Sequence, residues 1–254
     1  MLIQEVAVEK ITASLTQSPY VRAVFLKGSM GRNEHDEHSD IDLYCLVEKE
    51  QVELFLTERL THLRAYRPVL FQDDIFIIAP QLLAVFDDLL HIDLFTVTAE
   101  SFTAKDFFKV VYDPENLLEP FVESQSLALS KDEYQDHVID VAWFLFQYRK
   151  AAARGNHVWA VKMLSQVLEH LARILLHRYA PERAQLGLKT VNRSLPTAIF
   201  SEIEGISTLM TPASHPQAAS CIRELLKREY SWIDEHVSEH DKMMPLMRTM
   251  LEIQ

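Results

Sequence analysis

Apolar side chains recur in two different rhythms along the chain. The first half breaks into short runs between turn residues, and the second half settles into a helical period. Ile3, Val6, Ala7, Ile11 and Leu15 are spaced for one face of a helix that Ser18-Pro19 ends. Val21 to Lys27 is an apolar run that stops at Gly28-Ser29, and a short helix is expected from Met30 to about His35. A second strand begins at Asp40 and continues to Val47. Val52, Leu54, Phe55, Leu56, Leu60 and Leu63 then mark a helix over Gln51 to Leu63. After Pro68 come the apolar runs Val69–Phe71, Ile75–Ala79, Leu82–Phe86 and Leu89–Val97, punctuated by Asp73-Asp74 and Asp87-Asp88 as turns, and the last pair reads as strand, tight turn, strand. Val110 to Tyr112 is a further strand.

From Lys131 the period lengthens. Val138, Val141, Ala142, Leu145, Phe146 and Tyr148 fall on a helix from Asp132 to Arg154, with Gly155 as its stop and Asn156 as the cap of the next. Val161, Leu164, Leu168, Leu171, Ile174 and Leu175 carry that next helix to Pro181. A third starts near Ser194-Leu195-Pro196, and a fourth runs from Pro216 through Trp232 and His236. These stripes read as bundle core. The expected class is α+β, with a mixed-sheet domain over residues 1–128 followed by an all-α helical bundle over 129–254.

Composition narrows the function. The 254 residues are 48% hydrophobic and 24% charged, as in a soluble globular protein. No apolar run is long enough to cross a bilayer, and MLIQEVAVEK lacks the features of a signal peptide, which points to the cytoplasm. Cys45 and Cys221 stand far apart and outside any metal-type cluster. The net charge of −12 disfavours long nucleic acid as a partner, because such partners need a broad basic surface. It leaves room for a small nucleotide escorted by a cation and for a cationic small molecule.

The candidate chemistry lies between Val21 and Val47. In a strand Asp40 and Asp42 share one face, about 7 Å apart, while Ile41 and Leu43 face the core. Two carboxylates so placed repel unless a cation lies between them, and Mg²⁺ takes carboxylate oxygens while sharing other positions with water and phosphate. Gly28 lets backbone approach a phosphate, Ser29 adds a hydroxyl donor, and amides at a helix start favour anions. Further on, Asp93 sits between Ile92 and Leu94, where an unpaired acid is expensive to bury. It is therefore the candidate third carboxylate. His91 shares its face and is a candidate for a supporting or acceptor contact. His35 and His38 read as a solvated loop with no further ligand in register.

Gly28-Ser29, Arg32 and Ser39-Asp40-Ile41-Asp42-Leu43 together resemble the signature of the polymerase-β-like nucleotidyltransferase superfamily, whose third acid comes from a later strand. The resemblance implies Asp40, Asp42 and Asp93 as catalytic acids and metal ligands for one or two Mg²⁺. It implies Gly28, Ser29, Arg32 and Ser39 as nucleotide-binding residues. Within the superfamily the chain resembles antibiotic nucleotidyltransferases, lincosamide enzymes with a bundle first and the kanamycin enzyme more distantly. Arg154-Gly155 and the amphipathic run through Leu164-Ser165-Gln166 to about Leu176 carry the C-terminal likeness. The implied reaction moves an NMP, AMP first among them, from an NTP to a hydroxyl of a small molecule such as an aminoglycoside or lincosamide. A homodimer is compatible with it. Two departures bear on the acceptor: Asp93 matches a glutamate of the lincosamide enzymes, and Gln147 is the best match to the kanamycin enzyme's basic glutamate.

Two other functions fit the same signature. One is a protein-modifying nucleotidyltransferase of a toxin–antitoxin pair, although Arg173 and His177 are too close together for the partner toxins' Arg-x4–6-His motif. The other is a nucleotide-binding regulator without turnover.

Overall fold

The alternating and apolar runs become β1 (Val21–Leu26), β2 (Ile41–Val47), β3 (Val69–Phe76), β4 (Pro80–Phe86), β5 (His91–Val97) and β6 (Lys109–Tyr112). A computed structural model of the chain describes residues 1–102, 105–238 and 240–252. They cluster into two units, Met1–Ser126 and Leu127–Gln254. Among the described residues the strands form one sheet ordered β3-β4-β5-β2-β1-β6. It is mixed: β2 and β5 run parallel, and every other neighbouring pair is antiparallel.

Alternation gives the sheet two apolar faces. Val24, Leu26, Ile41, Leu43, Cys45, Ile92 and Leu94 join Ala7, Ile11 and Leu15 of α1 (Ile3–Leu15) and Phe55 and Leu63 of α3 (Val52–Leu63) in one core. Ala23, Phe25, Tyr44, Leu46, Phe95 and Val97 form a smaller cluster on the other side. Asp42 and Asp93 belong by register to that second face, so the site stands on the less covered side of the sheet.

Two local expectations change. The helix after Gly28-Ser29 is one turn, α2 (Gly28–Gly31), and Asn33 already has φ 57°. Asp73-Asp74 is not a turn: β3 runs through it, with Asp73 opposite Leu83 and Asp74 opposite Leu82. As an edge strand β3 leaves acids in water, and the buried Arg59 pairs with Asp74. Asp87-Asp88 does turn, and Leu89 takes φ 66° before β5 begins.

The second unit contains α4 (Lys131–Ala153), α5 (His157–Tyr179), α6 (Val191–Ser194), α7 (Thr197–Thr208), α8 (His215–His236) and α9 (His240–Glu252). Ser130 caps α4 with a reciprocal Glu133 contact, and Asn156 caps α5 through the Trp159 amide. Gly155 supplies the left-handed φ of 68° between them. Val138, Leu145, Leu164, Leu171, Ile222 and Leu226 lie in its core. The stripes thus pack as bundle core. The 3₁₀ stretch Pro181–Lys189 and α9 had no clear signature in the sequence. No described helix is long and apolar enough to cross a membrane.

Four imidazoles are packed into this unit. His137 and His170 touch Nδ1 to Nδ1 at 2.9 Å, His177 stacks on Tyr134, and His215 Nδ1 meets the Tyr148 hydroxyl at 2.9 Å. Burial is the main force lowering the pKa of all four, and it takes His137 down to about 4. Their stabilising contribution is whole above the unfolded value of about 6.5 and is lost as pH falls towards the folded values, because the unfolded chain takes up protons first. His137 alone should withdraw about 1–2 kcal/mol between pH 7 and pH 5. All three tryptophans, Trp143, Trp159 and Trp232, lie in this unit, so their fluorescence reports its unfolding. Denaturant midpoints should drop on acidification, and His137→Asn should flatten the drop. A midpoint that does not move with pH would refute this account.

Candidate active site

The site is assembled by strand register. In the parallel pair Ile41 faces Ile92, Asp42 faces Asp93 and Tyr44 faces Phe95. Carried one residue back, the same register sets Asp40 beside His91, and Asp40 Oδ2 lies 3.8 Å from His91 Nδ1. Because side chains two apart share a face, Asp40, Asp42, His91 and Asp93 form a two-by-two grid at the start of both strands. The next rung is the Tyr44–Phe95 stack, with centroids 4.3 Å apart, which makes an apolar wall behind the polar grid.

The turn after β1 reaches this grid because β1 and β2 are antiparallel. Leu26 pairs with Leu43, and the Lys27 amide donates to the Asp42 carbonyl at 3.0 Å. Gly28 follows with φ 60°, and a Cβ on it would stand 1.9 Å from Asp42 Oδ2. The glycine is needed twice over, for its left-handed backbone and for the space that the carboxylate fills. Ser29 directs its carbonyl to the Glu34 amide, 2.8 Å away. Arg32 is engaged by Glu34 at 3.0 Å and by Asp106. Ser39 organises the loop before β2: its hydroxyl accepts from the Asp36 amide at 3.0 Å, and its carbonyl accepts from Gln4 Nε2 at 2.8 Å. Gly28 therefore lies at the Asp42 carboxylate, whereas Arg32 and Ser39 brace the segments on either side of the intervening loop.

Asp93 is the more enclosed acid, with 14% of its side chain exposed against 51% for Asp40. Burial alone would raise its pKa. The His91 and Gln81 side chains outweigh that and hold the carboxyl below its usual range, so it is ionised at neutral pH. Asp93 in turn raises the pKa of His91, against burial and with help from Asp40 and Asp42. His91 Nε2 stands 3.3 Å from Asp93 Oδ1 but off line for a hydrogen bond, and both atoms are buried without a hydrogen-bond partner among the described residues.

Lys27 and Gln81 escaped the sequence reading. Lys27 is buried on the site's face of the sheet, donates to the Lys105 carbonyl at 2.9 Å, and lies over the Tyr44 and Phe102 rings. Burial lowers its pKa to about 8, with Asp106 pulling the other way. Alternation from Ala23 and Phe25 could have placed it there. Gln81 is the second residue of β4 and is buried diagonally across from Asp93, since Gln81 faces Phe95 and Leu83 faces Asp93.

The donor set fits a divalent cation. Asp40, His91 and Asp93 each offer a ligand atom, all within 4.8 Å of one another, and a buried carboxylate oxygen without a hydrogen-bond partner among the described residues lies among them. Such an arrangement is costly unless charge of the opposite sign satisfies it.

Among solved structures the chain is similar to an aminoglycoside 6-adenyltransferase from Bacillus subtilis, at 14% identity and a TM-score of 0.41, over 98% of this chain and 97% of that one. It is also similar to a nucleotidyltransferase-like protein from Exiguobacterium sibiricum, at 10% identity and a TM-score of 0.41, over 91% and 77%. A cyclic dinucleotide synthase from Elizabethkingia meningoseptica aligns at 11% identity and a TM-score of 0.32, over 90% and 78%. No curated protein matches the sequence. Residues 9–84, which hold the Gly-Ser turn and the first two acids, match the family described as polymerase beta, nucleotidyltransferase. That match spans residues 9–84 of the 254.

Proposed function

We propose that this protein moves an NMP, AMP first among the candidates, from an NTP to a hydroxyl of a small molecule, in the cytoplasm where NTPs are supplied. The observation that carries the reading is the register that sets Asp42 against Asp93, with Gly28 packed on the Asp42 carboxylate. In this reading residues 1–128 form the catalytic domain, and Asp40, Asp42 and Asp93 hold one or two Mg²⁺. Bound there, Mg²⁺ would neutralise phosphate charge and polarise the α-phosphorus. Gly28 and Ser29 bind the β- and γ-phosphates by close backbone approach and a hydroxyl. Arg32 and Ser39 keep the flanking segments in place.

The acceptor oxygen forms a bond to the α-phosphorus as the bond to pyrophosphate breaks. Its proton passes to Asp93, which is ionised at neutral pH and so able to receive it. A cleft of about 490 Å³ opens beside Asp40 and His91, edged by Glu37 and Asp88. That acidic rim favours an amine-bearing acceptor, and aminoglycosides and lincosamides are the first compounds to try.

Incubation with Mg²⁺, labelled NTPs and a panel of hydroxyl compounds should release pyrophosphate in step with a nucleotidylated acceptor seen by mass spectrometry. No turnover with any acceptor, together with no NTP binding by calorimetry, would overturn the reading. NTP binding without product under both Mg²⁺ and Mn²⁺ would replace it with a regulatory one.

A further inference from the structure

The three donors that stand closest together are not three carboxylates. Among the described residues, the group whose ligand atoms all lie within 4.8 Å is Asp40, His91 and Asp93. Asp42 instead carries its Oδ2 against Gly28. Two donors bound to one ion at about 2.0–2.2 Å stand at most some 4.4 Å apart, so small side-chain rotations bring this trio onto a common centre. His91 turns Nδ1 towards Asp40 at 3.8 Å and Nε2 towards Asp93 at 3.3 Å, so a turn of the ring brings one of the two nitrogens to the ion. The ring nitrogen and the Asp93 oxygen that face each other are buried and have no hydrogen-bond partner among the described residues, so a cation bound between the side chains would satisfy both.

Mg²⁺ is a hard ion that takes oxygen ligands, whereas imidazole suits first-row transition metals, whose affinity rises from Mn²⁺ towards Co²⁺. We propose that His91 is a direct metal ligand, which with Asp40 and Asp93 makes a one-histidine, two-carboxylate site selecting Mn²⁺ or Co²⁺ over Mg²⁺. The site is the one given to Mg²⁺ above, where Mn²⁺ or Co²⁺ would take its place, and its part in catalysis rests on the nucleotidyltransferase reading. The adjoining 490 Å³ cleft leaves the ion's remaining positions open to water or substrate oxygens. The i, i+2 spacing of His91 and Asp93 on β5 and the parallel register with Asp40 build the trio from backbone geometry alone.

The test needs no nucleotide and no acceptor. Full-length protein stripped of metal is loaded with Mn²⁺ and read by electron spin-echo spectroscopy, where a directly bound imidazole gives nitrogen coupling to the ion. Wild type should show that coupling, and its absence would overturn the proposal without recourse to any variant. Calorimetric titrations then compare metals. His91→Gln, shown to be folded by circular dichroism, should weaken Mn²⁺ and Co²⁺ on the order of 10–100-fold while changing Mg²⁺ affinity only a few-fold. Equal weakening of all three ions, or of none, would also overturn it. Nitrogen coupling without pyrophosphate release from any acceptor would leave the metal site standing and remove the transfer reaction. Pyrophosphate release without nitrogen coupling would do the reverse.

Discussion

Asp42→Asn is expected to cut pyrophosphate release on the order of a thousandfold while leaving the protein folded. Asparagine keeps the shape of the side chain and removes its charge, so the β2–β5 register and the apolar core behind Ile41 and Leu43 have no reason to move. Relief of repulsion within the acid grid should hold the melting temperature constant or raise it. Loss of a carboxylate that organises phosphate charge withdraws several kcal/mol from the transition state, and about 4 kcal/mol corresponds to a factor near a thousand. Asp73→Asn, at an exposed position on the edge strand, is the matched control and should retain full activity. Pyrophosphate release and NTP binding measured on both variants make the comparison. An Asp42→Asn protein with a tenth or more of wild-type turnover would remove Asp42 from the catalytic acids.

Much of this site was legible in the sequence because its parts obey short-range rules. Asp40 and Asp42 fall on one side of a strand by alternation. Asp93 stood out as an acid between Ile92 and Leu94. Gly28 marked the end of an apolar run. What alternation does not contain is which strands become neighbours. The parallel pairing of β2 with β5, across an intervening helix and a hairpin, is what turns His91 from a companion of Asp93 into a neighbour of Asp40. Lys27 was missed for a related reason: a lysine at the end of an apolar run reads as the run's polar boundary, yet the rings of Tyr44 and Phe102 and the Lys105 carbonyl give it a buried berth. Arg32 shows the limit from the other side. The resemblance implied it as a nucleotide contact, and nothing in the local sequence shows that its guanidinium is held by Glu34 and by Asp106, far along the chain. In the bundle, the 3.6-residue period gave the long helices directly. The Pro181–Lys189 stretch is short and irregular, with Gly187 at φ 55°.

Gly28→Ala should lose activity nearly as completely as Asp42→Asn, by moving the same carboxylate rather than neutralising it. A methyl group at residue 28 would stand 1.9 Å from Asp42 Oδ2, a separation no pair of atoms tolerates. The carboxylate is the end of a rotatable side chain, so it can swing away. The fold then survives with a modest penalty of about 1–2 kcal/mol for alanine in the left-handed region. The acid, however, leaves its place in the grid. Gly31 is the informative contrast. Its Cβ would meet the Leu26 carbonyl at 2.7 Å and the Phe107 carbonyl at 2.8 Å, both backbone atoms that cannot step aside. Gly31→Ala should therefore lower the melting temperature by more than Gly28→Ala does, whereas Gly28→Ala should lose turnover at near-normal stability. Because Gly28→Ala and Asp42→Asn act through one carboxylate, the double variant should be scarcely worse than either alone, a strongly non-additive cycle. Full turnover by a folded Gly28→Ala protein, or additive losses in the double variant, would show that the contact between Gly28 and Asp42 does not set the position of the acid during transfer.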